Sequence, residues 1–154
     1  WLASEILPRL QELLPGVCIH ILGSNPPEEI RSLDSPALRI EGFVTDEELA
    51  EYYRTCRLVI VPLRYGAGIK GKVVEAMRYG MPVVTTSAGA EGIAGAEQIL
   101  DIADSPEDFA RATASLYQDA ASLAKRSVQS YRYVRKNFSP ANAKQVIGPE
   151  FDME

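Results

Sequence analysis

Long apolar runs are missing from this chain. Stretches such as Leu58 to Leu63 and Met81 to Val84 fall far short of the about 20 residues that a membrane-spanning helix needs, so no transmembrane segment is expected and the chain is read as cytoplasmic. Cysteine is scarce: Cys18 and Cys56 are the two present, and neither belongs to a C-x-x-C pair or a Cys/His ligand pattern. Buried free thiols in a reducing compartment are expected. Histidine occurs once, at His20, with no carboxylate or nucleophile near it in sequence, and a packing role in a strand is expected rather than acid–base chemistry. No D-x-D pair exists to hold a divalent cation, so no metal site and no cofactor are expected. Excess positive charge is absent too. With 16 Lys and Arg against 21 Asp and Glu, the net charge is −5, and nucleic acid is not an expected partner because its phosphates would meet a repulsive average field. The opening has neither a basic n-region nor a cleavage site, and Trp1 to Leu14 already reads as a helix. The chain is therefore expected to be part of a longer protein.

What is present is apolar content of 46% over 154 residues, enough for one compact domain with a core. Short runs rich in Val and Ile alternate with longer amphipathic ones, the pattern of a parallel sheet covered by helices. The expected class is α/β, a Rossmann-like parallel sheet with helices on both faces. Strands are expected at Val17 to Leu22, Leu38 to Glu41, Leu58 to Pro62, Pro82 to Thr86 and Gln98 to Ile102. Helices are expected at Ala3 to Leu14, Pro27 to Leu33, Asp46 to Cys56, Gly71 to Tyr79, Pro106 to Asp119 and Ala120 to Asn137, with a last short one after Pro140. Thr45-Asp46-Glu47-Glu48 has the form of a capping box, and Ser105-Pro106-Glu107-Asp108 places a cap, a first-turn proline and acids at a helix start.

If the strands are parallel, the loops beginning at Gly23, Gly42, Arg64 and Ser87 share the carboxyl edge of the sheet, where open α/β folds bind ligands. One of them reverses the average charge. Between Arg64 and Arg78 lie Arg64, Lys70, Lys72 and Arg78 against the single acid Glu75, a local balance of +3. Glycines at 66, 68 and 71 let the main chain approach a ligand and turn N–H groups toward it, the following helix adds its positive end, and Lys70 can supply a full charge. Such a loop can cradle phosphate; ordinary solvated side chains are the alternative. No G-K-[ST] closes it, since Val73 follows Lys72. It is also read as unlike a dinucleotide fingerprint, so ATP hydrolysis and NAD binding lose support.

Glu75 is enclosed in sequence by Val73, Val74, Ala76 and Met77. A buried carboxylate needs partners. A ribose diol can offer two hydroxyl donors, while the competing arrangement has Glu75 facing solvent or pairing with Arg78 at i+3.

Gly68-Ile69-Lys70-Gly71-Lys72-Val73-Val74-Glu75-Ala76-Met77, followed by Tyr79-Gly80-Met81-Pro82-Val83-Val84-Thr85-Thr86, closely resembles the donor-binding segment of the group 1 (family 4) retaining glycosyltransferases of the GT-B fold. The resemblance extends from about Leu13 to Phe138. It implies that this is the C-terminal, donor-binding half of a GT-B architecture, a single domain over residues 1–154 that lacks its first strand. A missing N-terminal domain would hold a carbohydrate or other hydroxyl acceptor. It also implies that Gly68, Ile69, Lys70 and Gly71 bind the donor diphosphate through main-chain amides, that Glu75 takes the ribose hydroxyls, and that Phe43 and Val44 lie near the nucleobase. One position departs from the pattern. Many members carry a second glutamate eight residues before the ribose-binding one, and here Ala67 stands there.

The expected function is binding of a nucleoside-diphosphate sugar and stabilisation of the departing diphosphate, with Lys70 as the catalytic cation, in a retaining and metal-independent transfer. By itself the chain is expected to bind donor and turn over little. A sugar-nucleotide epimerase of the same build and a non-catalytic α/β binding module are the competing readings.

Overall fold

The structure, a computed structural model, describes residues 1–138. Fourteen elements follow one another in chain order. A π-helical turn, Leu2–Ile6, runs into α1 (Leu7–Leu13), then come β1 (Ile19–Leu22), α2 (Glu28–Arg31), β2 (Leu38–Gly42), α3 (Asp46–Thr55), β3 (Val59–Val61), α4 (Gly71–Arg78), β4 (Val83–Thr85) and α5 (Ser87–Ala90). A 3-10 turn, Ala96–Gln98, leads to β5 (Asp101–Ile102), α6 (Pro106–Gln118) and α7 (Ala120–Asn137). The class is α/β, as expected from the sequence pattern.

All strand pairs are parallel, and they form two groups: β1 with β2, and β3-β4-β5 in that order. Among the described residues β1 pairs with β2 alone and β3 with β4 alone, so the two groups face each other across a gap. Ile19 donates its N–H to the Ala37 carbonyl, 2.9 Å, on the β2 side. Because successive main-chain groups alternate sides, those of Cys18 and His20 are directed to the other edge. Val59 likewise donates to Pro82, 2.9 Å, which leaves the groups of Leu58 and Ile60 on the edge that faces β1.

Helices cover both faces of the three-stranded group. Val83 belongs to a core with Val73, Ala76 and Met77 of α4 and Val134 of α7. Val84, one residue on and therefore on the opposite face, belongs to a second core with Ile6, Leu10 of α1, and Phe109, Ala110 and Ala114 of α6. Each large side chain so buried contributes roughly 1.5–3 kcal/mol.

Helix starts follow the local chemistry. Thr45 Oγ1 accepts from Glu48 N (3.2 Å) while Glu48 Oε2 accepts from Thr45 N (2.8 Å), completing the capping box of α3. Ser105 caps α6 through Asp108 N, 3.1 Å. Asp119 caps α7 through Ala121 N and Ser122 N, 3.0 and 3.1 Å. At the far end of α4, Gly80 takes φ 73°, and the bonds Gly80 N to Met77 O and Met81 N to Ala76 O, both 3.0 Å, make a Schellman stop that turns the chain into β4.

Three expectations change in extent. The helix expected over Pro27 to Leu33 is the single turn α2, because Asp34 is drawn into a bond with Ile40 N, 2.9 Å. The strand expected from Gln98 shrinks to two residues because Gln98 closes the 3-10 turn. The loop after β4 contains α5, one turn capped by Thr86 on Gly89 N, 3.1 Å. The helix expected after Pro140 lies outside the described residues. Cys18, expected to be buried, is exposed, because it stands on the free edge of β1; Cys56 is half-buried, and burial pushes its thiol pKa up.

Candidate functional site

A cleft of about 700 Å³ opens along the gap between the two strand groups. Its floor is made by β1 and by Leu58 to Val61, and at its mouth stand Gly23 and Ser24 after β1, Phe43 and Val44 after β2, and Lys72 and Glu75 of α4. Three of the residues singled out from sequence, Phe43, Val44 and Glu75, therefore share one cavity. Phe43, an aromatic ring at the cleft mouth, is 71% exposed. Gly68, Ile69, Lys70 and Gly71 do not line the cleft. They form the loop and helix start immediately ahead of Lys72 and Glu75, on its rim.

That loop leaves its donors open. Leu63 N is bonded to the Val61 carbonyl, 2.9 Å, but from Arg64 through Lys72 no main-chain N–H donates to a protein acceptor among the described residues. Gly66 and Gly68 hold φ 133° and 73°, values that L side chains rarely adopt, and these turns direct successive N–H groups outward. Lys70 is the N-cap of α4 in an extended conformation and offers no side-chain cap, so the first amides of the helix are unsatisfied as well. Together they make a run of open donors at a positive helix end, suited to an anion.

The glycines at 66, 68 and 71 do carry the G-x-G-x-x-G spacing, which corrects the reading of this loop as unlike a dinucleotide fingerprint. What separates the two is placement. The fingerprint forms a tight turn from the first strand straight into its helix, whereas here β3 ends at Val61 and α4 begins at Gly71, with residues 62–70 between them.

Lys70 folds back onto its own loop. Its Nζ donates to the Gly68 carbonyl and pairs with Glu91 Oε2 at 3.2 Å, and the side chain is only 10% exposed. Glu75 is exposed rather than enclosed, because its position on α4 turns it away from Val73, Ala76 and Met77 and toward the cleft. It makes no ion pair with Arg78 among the described residues; its neighbour is Tyr53 of α3. Tyr53 also lines the cleft and stacks on Tyr79, centroids 4.5 Å apart and planes inclined 23°. Burial, and then the Glu75 carboxylate beside it, push the Tyr53 phenol up to about 12. Sequence reasoning missed Tyr53. The available signal was the apolar face of α3, which has to pack on the neighbouring helix.

His20 has a partner after all. Its Nδ1 lies 2.7 Å from Glu41 Oε1, and its ring is 5.3 Å from that of Tyr52. The parallel pairing of β1 with β2 brings Glu41 alongside, a neighbour 21 positions away that local sequence does not reveal. Burial and then Glu41 raise the Tyr52 phenol. No helix among the described residues is long and apolar enough to cross a membrane.

The sequence matches the family described as Glycosyl transferases group 1 over residues 1–119. The chain belongs to that family. Among solved structures, this group 1 glycosyl transferase chain is similar to Anabaena HepE, crystallised in complex with UDP, with a TM-score of 0.81 and 18% identity over 97% of this chain and 44% of that one. It is also similar to WaaG, a glycosyltransferase involved in lipopolysaccharide biosynthesis, with a TM-score of 0.65 and 16% identity over 86% of this chain and 40% of that one. At these identities the likeness shows the fold, one half of a GT-B architecture. A curated relative, an uncharacterized 44.6 kDa protein in the cps region of Klebsiella pneumoniae, is 26% identical over 147 residues, 90% of this chain. This group 1 chain spans 38% of that relative's length.

Proposed function

We propose that this chain is the donor-binding part of a retaining glycosyltransferase. It holds a nucleoside-diphosphate sugar at the rim formed by the Arg64–Lys72 loop, Glu75, Phe43 and Val44, beyond the strand ends, and stabilises the departing diphosphate during transfer to a carbohydrate or other hydroxyl acceptor carried by an N-terminal domain. The observation that carries the reading is the run of unsatisfied main-chain donors from Arg64 to Lys72, continuous with Glu75 at the cleft mouth. As the glycosidic bond breaks, negative charge builds on the diphosphate, and donors fixed in advance lower the barrier most where that charge appears. Gly68, Ile69 and Gly71 supply amides, Lys70 an ammonium, and Glu75 an acceptor for ribose hydroxyls. Phe43 and Val44 at the other side of the mouth suit a nucleobase. No D-x-D pair is present in the sequence, in keeping with charge stabilisation by the protein's own groups. HepE, similar in fold, was crystallised with UDP.

The reading also accounts for the divided sheet. In a doubly wound fold with strand order 3-2-1-4-5-6, the first strand lies between the second and the fourth. A strand supplied from ahead of Trp1 would run between β1 and β3 and join β2-β1 to β3-β4-β5. A nucleotide-sugar donor and two free cysteines suit a cytoplasmic protein.

The test is titration of the chain with uridine, guanosine and adenosine diphosphates and the parent nucleosides, followed by calorimetry and amide shifts. One diphosphate is expected to bind well ahead of its nucleoside, with shifts concentrated at 66–75. If all three leave that segment unmoved, the reading is wrong.

A further inference from the structure

The loop after β4 is fastened to the glycine-rich loop after β3 at three points. Thr86 Oγ1 donates to the Leu63 carbonyl. Gly92, at φ 79°, approaches Ile69 so closely that a Cβ there would lie 2.6 Å from Ile69 Cγ1. Glu91 Oε2 is 3.2 Å from Lys70 Nζ. Glu91 is an acid brought onto this rim through Lys70, and its side chain is 51% exposed. One carboxylate oxygen is engaged by Lys70, while Oε1 has no partner among the described residues.

An acid at this place needs a reason, because a carboxylate beside an anion-binding rim weakens binding of a bare diphosphate. Part of the reason is Lys70 itself, a nearly covered ammonium that requires a counter-charge while the rim is empty. The free oxygen supplies another. A carboxylate has several acceptor sites, and one that already holds a cation can still take a hydroxyl. Ala67 presents no polar side chain to the same loop.

We propose that Glu91 is a specificity-determining residue of this site: it holds the Lys70 ammonium over the glycine-rich loop and accepts a hydrogen bond from a hydroxyl of the transferred sugar. The assignment rests on the donor-binding reading of the rim. Neighbouring ligand parts are then divided between two acids, Glu75 for the pentose and Glu91 for the group that leaves with the acceptor.

Calorimetry with UDP, UDP-glucose, UDP-galactose and UDP-N-acetylglucosamine tests it, comparing the wild type with Glu91→Ala, Glu91→Gln and Lys70→Ala. The wild type is expected to discriminate among the three sugar esters by at least about threefold. In Glu91→Ala that spread should collapse, and in Glu91→Gln, which keeps an acceptor oxygen but loses the charge that holds Lys70, it should narrow, while UDP itself binds within about twofold of wild type or more tightly in both. Survival of the spread in Glu91→Ala, or an equal loss for UDP and every ester, overturns the role of Glu91 and leaves the rim reading standing. Unchanged UDP affinity in Lys70→Ala, or failure of the wild type to bind any of the uridine, guanosine and adenosine diphosphates, instead removes the rim reading and the Glu91 role with it. Urea midpoints of the variants, expected near wild type for an exposed acid, separate these results from unfolding.

Discussion

The ring of Tyr53 lies flat against that of Tyr79, 4.5 Å between centroids, with its phenol beside the Glu75 carboxylate. Tyr79, the residue that closes α4, is one turn beyond Glu75, so a ring stacked on Tyr79 reaches along the face that Glu75 tops. Two helices distant in sequence thus set the direction of one acid. Glu75→Ala should weaken nucleoside-diphosphate binding by about 1–3 kcal/mol, the usual scale for a hydrogen bond to a charged group, and Tyr53→Phe by about 0.5–1.5 kcal/mol, because the stack persists while the hydroxyl is lost. Calorimetry checks both. An unchanged affinity in Glu75→Ala would take Glu75 out of the site.

The same pair has a signature in alkali. Burial and the Glu75 carboxylate raise the Tyr53 phenol from 10.0 to about 12. The unfolded chain gives up this proton first, so the stabilisation is complete below pH 10 and fades as the pH climbs from 10 toward about 12. Urea midpoints of wild type and Tyr53→Phe, measured at pH 9 and again near pH 11.5, should therefore converge or cross in favour of Phe. Parallel behaviour would mean that the phenol is not sheltered.

Lys70→Ala should weaken nucleoside diphosphates by about tenfold or more and leave nucleosides almost untouched, since an ammonium over the rim acts on phosphate charge. Equal losses for the two ligand classes would show that Lys70 does not reach the phosphates. Raising the salt concentration should narrow the difference between wild type and variant.

Which parts of this molecule can be read from its sequence depends on how local their causes are. The capping box at Thr45, the stop at Gly80 and the repeating pattern of α7 each follow from residues within a turn or so of their neighbours, and each element is found where the sequence places it. The glycine-rich loop is legible for the same reason. His20 with Glu41, Tyr53 with Glu75 and Lys70 with Glu91 are not, because strand pairing and helix packing bring those partners together across the chain. The exposure of Cys18 belongs to this second group. Alternation and apolar neighbours describe a core strand, and only the arrangement of the other strands determines that one of its edges is open.

Gly89 offers a test of the framework beneath the rim. A Cβ at this position would stand 2.0 Å from Thr85 Oγ1, a buried hydroxyl bonded to the Val61 carbonyl at 2.8 Å. Gly89→Ala must displace Thr85 and should cost about 1–3 kcal/mol by overpacking, read as a lower urea midpoint. A neutral result would mean that the loop after β4 shifts freely.

Both thiols lie in the cleft between the strand groups. If that space receives a strand from ahead of Trp1, Cys18 should react readily with a thiol reagent in the 154-residue chain and become protected once that strand is included. Cys56, half-buried and with its thiol pKa raised, should react more slowly in either case. Equal Cys18 reactivity in the two proteins would leave the gap without that occupant.

The divided sheet has a bearing on how such a protein behaves in solution. Two parallel strand borders with unanswered main-chain groups form a template with which an extended segment, another copy included, can pair, and the net charge of −5 works against such self-association. Solubility and ligand binding are thereby tied to the same seam. A short peptide supplied in trans that zips it shut would improve both at once, so the chain has the makings of a split reporter whose halves report on each other.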